Sequence, residues 1–161
     1  MKKGLWLATL ITVMLLLAAS PALSGYAYEA NKPHLGGDVT PVEAYEMQKK
    51  NPEHTFLVDC RTRAEYQFVG HPEGAYNIPI RFLSTKVGKK GYVEVDNPDF
   101  GKDLLARFNP QTDTLIILCR SGNRSGRVTD ALRQQGHTNV HNMAGGIRAW
   151  KSAGLPVESG K

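Results

Sequence analysis

Cysteine is scarce in this sequence, since its 161 residues include only Cys60 and Cys119. The two do not form a Cys-x-x-Cys pair, and no group of Cys and His has the spacing of a zinc site. Two thiols are also too few for the disulfide framework on which many small exported domains depend. We therefore expect neither a structural metal nor a disulfide scaffold, and each cysteine needs its own explanation.

Blocks of a single charge are missing as well. Lys and Arg number 20 and Asp and Glu number 15, which gives a formal net charge of +5. No basic block alternates with aromatic residues, as it would in many nucleic-acid-binding proteins. We therefore expect no nucleic-acid partner, while the mild positive charge is compatible with a small anionic substrate.

Charge is absent from residues 5–19, which form an apolar run. Two lysines precede this run and small residues follow it, an order typical of a secretory signal peptide cleaved after Ser24 or Ala27. A membrane span usually needs about 20 apolar residues, so an uncleaved anchor is the less favoured alternative. We predict a signal peptide over residues 1–24 and a periplasmic or secreted protein with no stable membrane insertion after cleavage. The mature chain would keep 137 residues and a formal charge of +3.

The rest of the chain reads as a linker over residues 25–38 and one domain over residues 39–158. Within the domain, short apolar runs alternate with helical patterns. Strands are predicted over residues 55–59, 75–78, 114–118 and 140–143, and helices over residues 40–50, 62–69, 126–135 and 147–153. Residues 86–91 are predicted to form an exposed loop, and residues 104–108 the end of a short helix. The alternation predicts an open, mostly parallel α/β sheet.

Cys119 directly follows the most apolar of these strands, residues 114–118, which reads as a strand buried on both faces. Loops at the carboxyl ends of parallel strands commonly bind ligands. The helix that follows would direct unpaired amides and a partial positive charge at the loop. Backbone amides of residues 120–125 are therefore expected to surround the Cys119 sulfur and favour the nucleophilic thiolate. The alternative is an inert core cysteine, the usual role of a lone buried thiol.

The loop from Cys119 to Ser125, Cys-Arg-Ser-Gly-Asn-Arg-Ser, resembles the active-site loop of rhodaneses, whose usual pattern is Cys-Arg-x-Gly-x-Arg. Other family motifs have counterparts in the same order, namely Asp59-Cys60-Arg61, Gly70-His71, Gly74-Ala75, Asn77-Ile78-Pro79 and Gly145-Gly146-Ile147-Arg148-Ala149-Trp150. The resemblance spans residues 39–157. It implies the rhodanese fold, a five-stranded parallel sheet with helices on both faces.

The resemblance also implies a sulfurtransferase with Cys119 as catalytic nucleophile. Cys119 would take a sulfane sulfur from thiosulfate or a polysulfide, carry it as a persulfide and pass it to a thiophilic acceptor. The residues expected to bind the donor and the persulfide are Arg120, Ser121, Gly122, Asn123, Arg124 and Ser125. The implied partners are a small anionic sulfur donor and a thiol or protein acceptor, and no metal or organic cofactor is required.

Two other functions fit the same motifs. A sulfur-carrier or redox-partner module would deliver the persulfide to another protein and turn over poorly with free substrates. Phosphatases and arsenate reductases share the rhodanese fold, but five residues separate their cysteine from the loop arginine. Here only four residues separate Cys119 from Arg124, and this tighter loop favours sulfur over a tetrahedral oxyanion.

Cys60 stands where the family motif commonly has an aliphatic residue, so a packing role is expected. A resolving role towards Cys119 is the alternative, because both cysteines end predicted strands at the same sheet edge. Strand order decides whether the two thiols are within reach of each other.

The remaining candidates are expected to be structural. Arg61 and Glu65 have the spacing of a helical ion pair. His71 belongs to a turn motif and Trp150 to the last helix, where a core position is expected.

Overall fold

The computed structural model describes residues 34–89 and 91–160. The predicted signal peptide, residues 1–24, and residues 25–33 of the predicted linker lie outside this part of the chain. Residues 34–38 of that linker lie against the domain. Asp38 pairs with Asn142 of a core strand, and the Leu35 amide donates a hydrogen bond to Asp130.

The described residues form alternating strands and helices. The helices are α1 Pro41–Lys50, α2 Arg63–Val69, α3 Phe100–Leu105, α4 Asn123–Gln134 and α5 Gly146–Ser152. The strands are β1 Asp38–Val39, β2 Thr55–Asp59, β3 His71–Pro72, β4 Tyr76–Asn77, β5 Arg81–Gly88, β6 Gly91–Asp96, β7 Thr114–Leu118, β8 Val140–Met143 and β9 Val157–Glu158. Of the helices in the described ranges, none is long and apolar enough to cross a membrane.

The central sheet has five parallel strands, as the family resemblance implied, and their order is β1-β8-β7-β2-β4. Leu115 and Ile117 of β7 pack on one face with residues of α3 and α4. Ile116 and Leu118 pack on the other face with residues of α1 and α5. The central strand is therefore buried on both faces, and its carboxyl end holds the following loop against the core.

Two helices begin with the capping box that their sequences indicate. The Thr40 hydroxyl accepts a hydrogen bond from the Glu43 amide at the start of α1, and Thr62 does the same for Glu65 in α2. In α2 this cap directs Glu65 towards the loop after β7.

The exposed loop predicted over residues 86–91 is shorter than expected, because residues 86–88 belong to β5 and residue 91 to β6, although residues 86, 87, 89 and 91 are exposed as predicted. Strands β5 and β6 pair antiparallel, so most of this segment is the tip of a hairpin. Val87 and Tyr92 pair across the hairpin and are largely exposed, so no burial pattern revealed these strands, although β-branched and aromatic residues favour extended chains. Helix α3 ends at Leu105, three residues before the predicted end.

A buried ion pair joins the end of β2 to the end of α2. The Arg61 guanidinium lies 2.5 Å from the Asp59 carboxylate and donates a 2.8 Å hydrogen bond to the Gly70 carbonyl. The ion pair that the spacing of Arg61 and Glu65 permits does not form, because Arg61 turns into the core and Glu65 binds Arg124.

We predict that Arg61→Met lowers the free energy of unfolding by about 3–5 kcal/mol, because it leaves the Asp59 carboxylate buried without its partner. Urea unfolding followed by circular dichroism measures the loss. The control is Arg81→Met, which breaks a half-exposed pair with Asp96 and should cost at most about 1 kcal/mol. Equal losses in the two variants would contradict the prediction.

Candidate active site

The loop between β7 and α4 places Cys119 at the carboxyl edge of the sheet. Gly122 has a φ of 93°, a left-handed conformation that lets the loop turn back before α4 begins. Arg120 and Asn123 are exposed at the mouth of the loop, whereas Cys119 is only 1% exposed. The cysteine sulfur therefore lies at the floor of a short loop that opens to solvent.

Polar groups of the loop point at this sulfur. The Gly122 amide donates a hydrogen bond to the Cys119 Sγ at 3.2 Å, and the Ser125 Oγ lies 3.4 Å from it. The Ser125 hydroxyl also lies 2.7 Å from the Asn142 Oδ1. Its single proton can serve one acceptor at a time, so Ser125 links the sulfur to a buried polar network.

These contacts favour the ionised sulfur. The neighbouring Cys60 thiol is the largest influence that lowers the pKa of Cys119, to about 4. The Ser125 hydroxyl and the amides of Ser125 and Ser121 lower this pKa further, against the opposing effect of burial. At neutral pH Cys119 is therefore a thiolate, the nucleophilic form of cysteine.

The start of α5 holds the loop from the other side. The Ile147 amide donates to the Cys119 carbonyl at 2.8 Å, and the Arg148 amide donates to the Arg120 carbonyl at 3.3 Å. A Cβ on Gly146 would lie 2.3 Å from the Cys119 carbonyl oxygen, and Gly146 has a φ of 57°. Only glycine fits there, because the cysteine loop rests on the backbone of α5.

Arg124, one of the residues expected to bind the sulfur donor, forms an ion pair with Glu65 of α2. Its guanidinium donates two hydrogen bonds to the Glu65 carboxylate, at 2.9 and 2.6 Å. Glu65 holds the pKa of Arg124 above its ordinary value, so the arginine is always charged. This charge is fixed beside the loop by α2, and it acts on the Cys119 sulfur through space.

A cleft of about 910 Å³ lies beside the loop, between α3, α4 and the base of the β5–β6 hairpin. Phe100 and Val128 contribute apolar surface to this cleft, and Arg124 and Arg127 contribute positive charge. The cleft shares Arg124 with the cysteine loop.

The sequence profile described as "Rhodanese-like domain" matches residues 40–153. The chain belongs to the rhodanese family. It is 37% identical over 106 residues to thiosulfate sulfurtransferase 16 of Arabidopsis thaliana chloroplasts, a match that covers 66% of this chain and 81% of the relative. It is 35% identical over 132 residues to the mitochondrial protein HIGH ARSENIC CONTENT 1 of Arabidopsis thaliana, covering 81% of this chain and 73% of the relative.

Solved structures agree with this fold. The crystal structure of Rv0390 from M. tuberculosis superposes with a TM-score of 0.62 at 29% sequence identity, covering 76% of this chain and 97% of that chain.

The other rhodanese motifs of this chain support the fold. His71 is buried, its Nδ1 lies 3.0 Å from the Tyr66 carbonyl oxygen, and its ring stacks on the Tyr66 ring. Trp150 is buried and donates to the Pro156 carbonyl at 2.8 Å. Both side chains have the structural environments expected from the sequence.

Asn142 is a buried polar residue beside the cysteine loop that the sequence analysis missed. It lies on β8, its Oδ1 accepts a hydrogen bond from the Ser125 hydroxyl at 2.7 Å, and its Nδ2 donates to the Asp38 carboxylate at 2.7 Å. Its only sequence signal is a polar residue within a strand predicted to be buried. The function of such a residue depends on strand order, which the sequence pattern does not specify.

We predict that Gly146→Ala displaces the cysteine loop and slows alkylation of Cys119 by iodoacetamide about tenfold or more, because the new methyl group overlaps the Cys119 carbonyl. The matched control is Gly154→Ala. Gly154 also has a positive φ, 69°, but a Cβ there meets open space. Both variants carry a backbone strain of about 1–2 kcal/mol, and only Gly146→Ala should change Cys119 reactivity. Equal alkylation rates in both variants would show that the loop does not depend on this contact.

Proposed function

We propose that this rhodanese is a sulfurtransferase that moves a sulfane sulfur through a persulfide on Cys119. The observation that carries the proposal is the environment of the Cys119 sulfur, which accepts a hydrogen bond from the Gly122 amide and lies 3.4 Å from the Ser125 hydroxyl. Such donors favour the thiolate, the nucleophilic form of cysteine. We place its activity in the periplasm or outside the cell, on the strength of the signal peptide predicted over residues 1–24.

In the first step, the Cys119 thiolate attacks the outer sulfur of the donor. With thiosulfate, the sulfur–sulfur bond of the donor breaks and sulfite leaves with its electron pair. In the second step, the acceptor attacks the outer sulfur of the persulfide and the Cys119 thiolate leaves. A low pKa assists both steps, because it keeps Cys119 ionised for attack and makes it a good leaving group.

Thiosulfate is the donor we favour, with a polysulfide as the other candidate. Both are anionic, and Arg120 and Arg124 bring positive charge to the loop. The resemblance to a relative named thiosulfate sulfurtransferase also supports thiosulfate. The four-residue spacing from Cys119 to Arg124 argues against a phosphatase-like oxyanion site.

A sulfur-carrier or redox-partner function is the second candidate. The observation that favours it is the β5–β6 hairpin, which exposes Phe82, Leu83, Val87 and Tyr92. The base of this hairpin, at Arg81 and Asp96, lines the cleft beside the loop. Exposed apolar residues gathered on one element are typical of protein-binding surfaces. A protein acceptor that bound the base of the hairpin would contact the cleft that Arg124 also lines.

Intact-mass spectrometry after exposure to thiosulfate tests the sulfur chemistry. We expect the protein to gain the mass of one sulfur atom and to lose it when cyanide is added. Cys119→Ser should stay folded and gain nothing, because a hydroxyl cannot form a persulfide. Sulfur uptake by Cys119→Ser would contradict the proposed role of Cys119.

Steady-state kinetics, with cyanide or persulfide-accepting proteins as the acceptor, separate the two functions. A sulfurtransferase acting on small molecules turns over with thiosulfate and cyanide at steady state. A carrier is charged by the donor but discharges rapidly only to persulfide-accepting proteins.

We also predict that Arg124→Ala lowers kcat/KM for thiosulfate about tenfold, the scale of one charge-assisted interaction. The loss should be partial because Arg120 remains, and smaller for a neutral organic thiosulfonate. The matched control is Arg127→Ala, which removes the same charge from the next turn of α4. Equal kinetics for thiosulfate in the wild type and Arg124→Ala would show that Arg124 only ties α2 to the loop.

A further inference from the structure

Cys60 and Cys119 occupy neighbouring positions on adjacent strands. Asp59 of β2 pairs with Leu118 of β7, and the Cys60 amide donates to the Leu118 carbonyl at 2.9 Å. The pairing of the two strands therefore continues to the cysteines. Since paired strands lie about 4.8 Å apart, the two cysteines stand side by side at the sheet edge.

The two side chains also point to the same face of the sheet. Cys60 and Cys119 belong to one core cluster, which includes Val58 and Ile117, the residues two positions before them. Leu118 packs in the cluster on the opposite face. Cys60 is fully buried, and both cysteines are free thiols. The Cys119 sulfur thus has Cys60 on its core side and the loop amides on its other side.

We propose that Cys60 is a positioning residue whose thiol donates a hydrogen bond to the Cys119 sulfur and holds that sulfur as a thiolate. This inference rests on the proposed function, in which Cys119 is the nucleophile. The family motif commonly has an aliphatic residue at position 60, and the sequence analysis expected Cys60 only to pack. The inference gives Cys60 a chemical role as well.

The surroundings decide which of the two sulfurs keeps its proton. Two adjacent sulfurs do not both ionise readily, because like charges repel. Of the two sulfurs, only that of Cys119 faces the loop amides, so Cys119 is the one that ionises. The hydrogen bond to Cys119 and the burial of Cys60 then raise the pKa of Cys60 well above its ordinary value. The charged groups near the pair oppose each other, since Asp59 raises the pKa of Cys60 and Arg124 lowers it. Cys60 therefore remains a thiol and a donor.

A thiol is a weak donor in water, but this one is shielded from water on the core side of the sheet. It acts in both steps of sulfur transfer. It stabilises the attacking thiolate, and it stabilises the same thiolate when the acceptor removes the outer sulfur. An aliphatic side chain at position 60 would fill similar space and offer no donor.

The test is the pH dependence of Cys119 alkylation by iodoacetamide, followed by mass spectrometry on fully reduced protein between pH 5 and 8. With a pKa of about 4, the wild-type rate should be nearly flat over this range. In Cys60→Val we expect the pKa of Cys119 to rise by about one to two units, the scale of one hydrogen bond to a charged group. The alkylation rate of that variant should then increase about two- to tenfold from pH 5 to pH 7.

Two control variants separate the hydrogen bond from packing. Cys60→Ser keeps a buried donor and should retain a flat profile. Val58→Ala removes volume from the same face of β2 without removing a donor, and should also stay flat. A flat profile in Cys60→Val, or equal slopes in Cys60→Val and Cys60→Ser, would overturn the proposal. Because alkylation requires no sulfur donor, this outcome is independent of whether Cys119 forms a persulfide.

Discussion

The structure depends on holding a negative sulfur where almost no water reaches it. Burial alone would keep Cys119 a neutral thiol, since desolvation raises a thiol's pKa. The opposing groups are hydrogen-bond donors fixed before any substrate arrives, from the loop, Ser125 and Cys60. Their arrangement requires the loop backbone to stay fixed, and much of the surrounding fold serves that requirement.

Separate parts of the chain hold the loop. The Ile147 and Arg148 amides of helix α5 donate hydrogen bonds to the Cys119 and Arg120 carbonyls of the loop, and Gly146 allows the close approach. Helix α2 reaches it through the pair of Glu65 with Arg124. The buried pair of Asp59 with Arg61 fixes α2 relative to β2. Two rhodanese motifs far from Cys119 in sequence, residues 59–61 and 145–150, therefore support the cysteine loop.

Local sequence patterns predicted the parts of the molecule that depend on local chemistry. The apolar run 114–118 predicted the central strand, and the glycine-containing turn after it predicted amides around Cys119. Side-chain partners were harder to predict, because they depend on which strands are neighbours. The spacing alone permitted an ion pair of Arg61 with Glu65, whereas in the structure Arg61 is buried and pairs with Asp59. The hairpin was missed for another reason, since a strand pair exposed to solvent has no alternating burial to mark it.

The contact between the cysteines shows how strand order changes the meaning of a residue. From the sequence, Cys60 was a small apolar side chain, and that description remains correct, because it is fully buried among apolar neighbours. Once β2 is known to lie beside β7, the same side chain is also a donor next to an anion. A valine would meet the packing requirement but not the electrostatic one, and a serine would meet the electrostatic one with poorer packing. Cysteine meets both, because its thiol is apolar enough for the core and still carries a proton to share with the sulfur beside it.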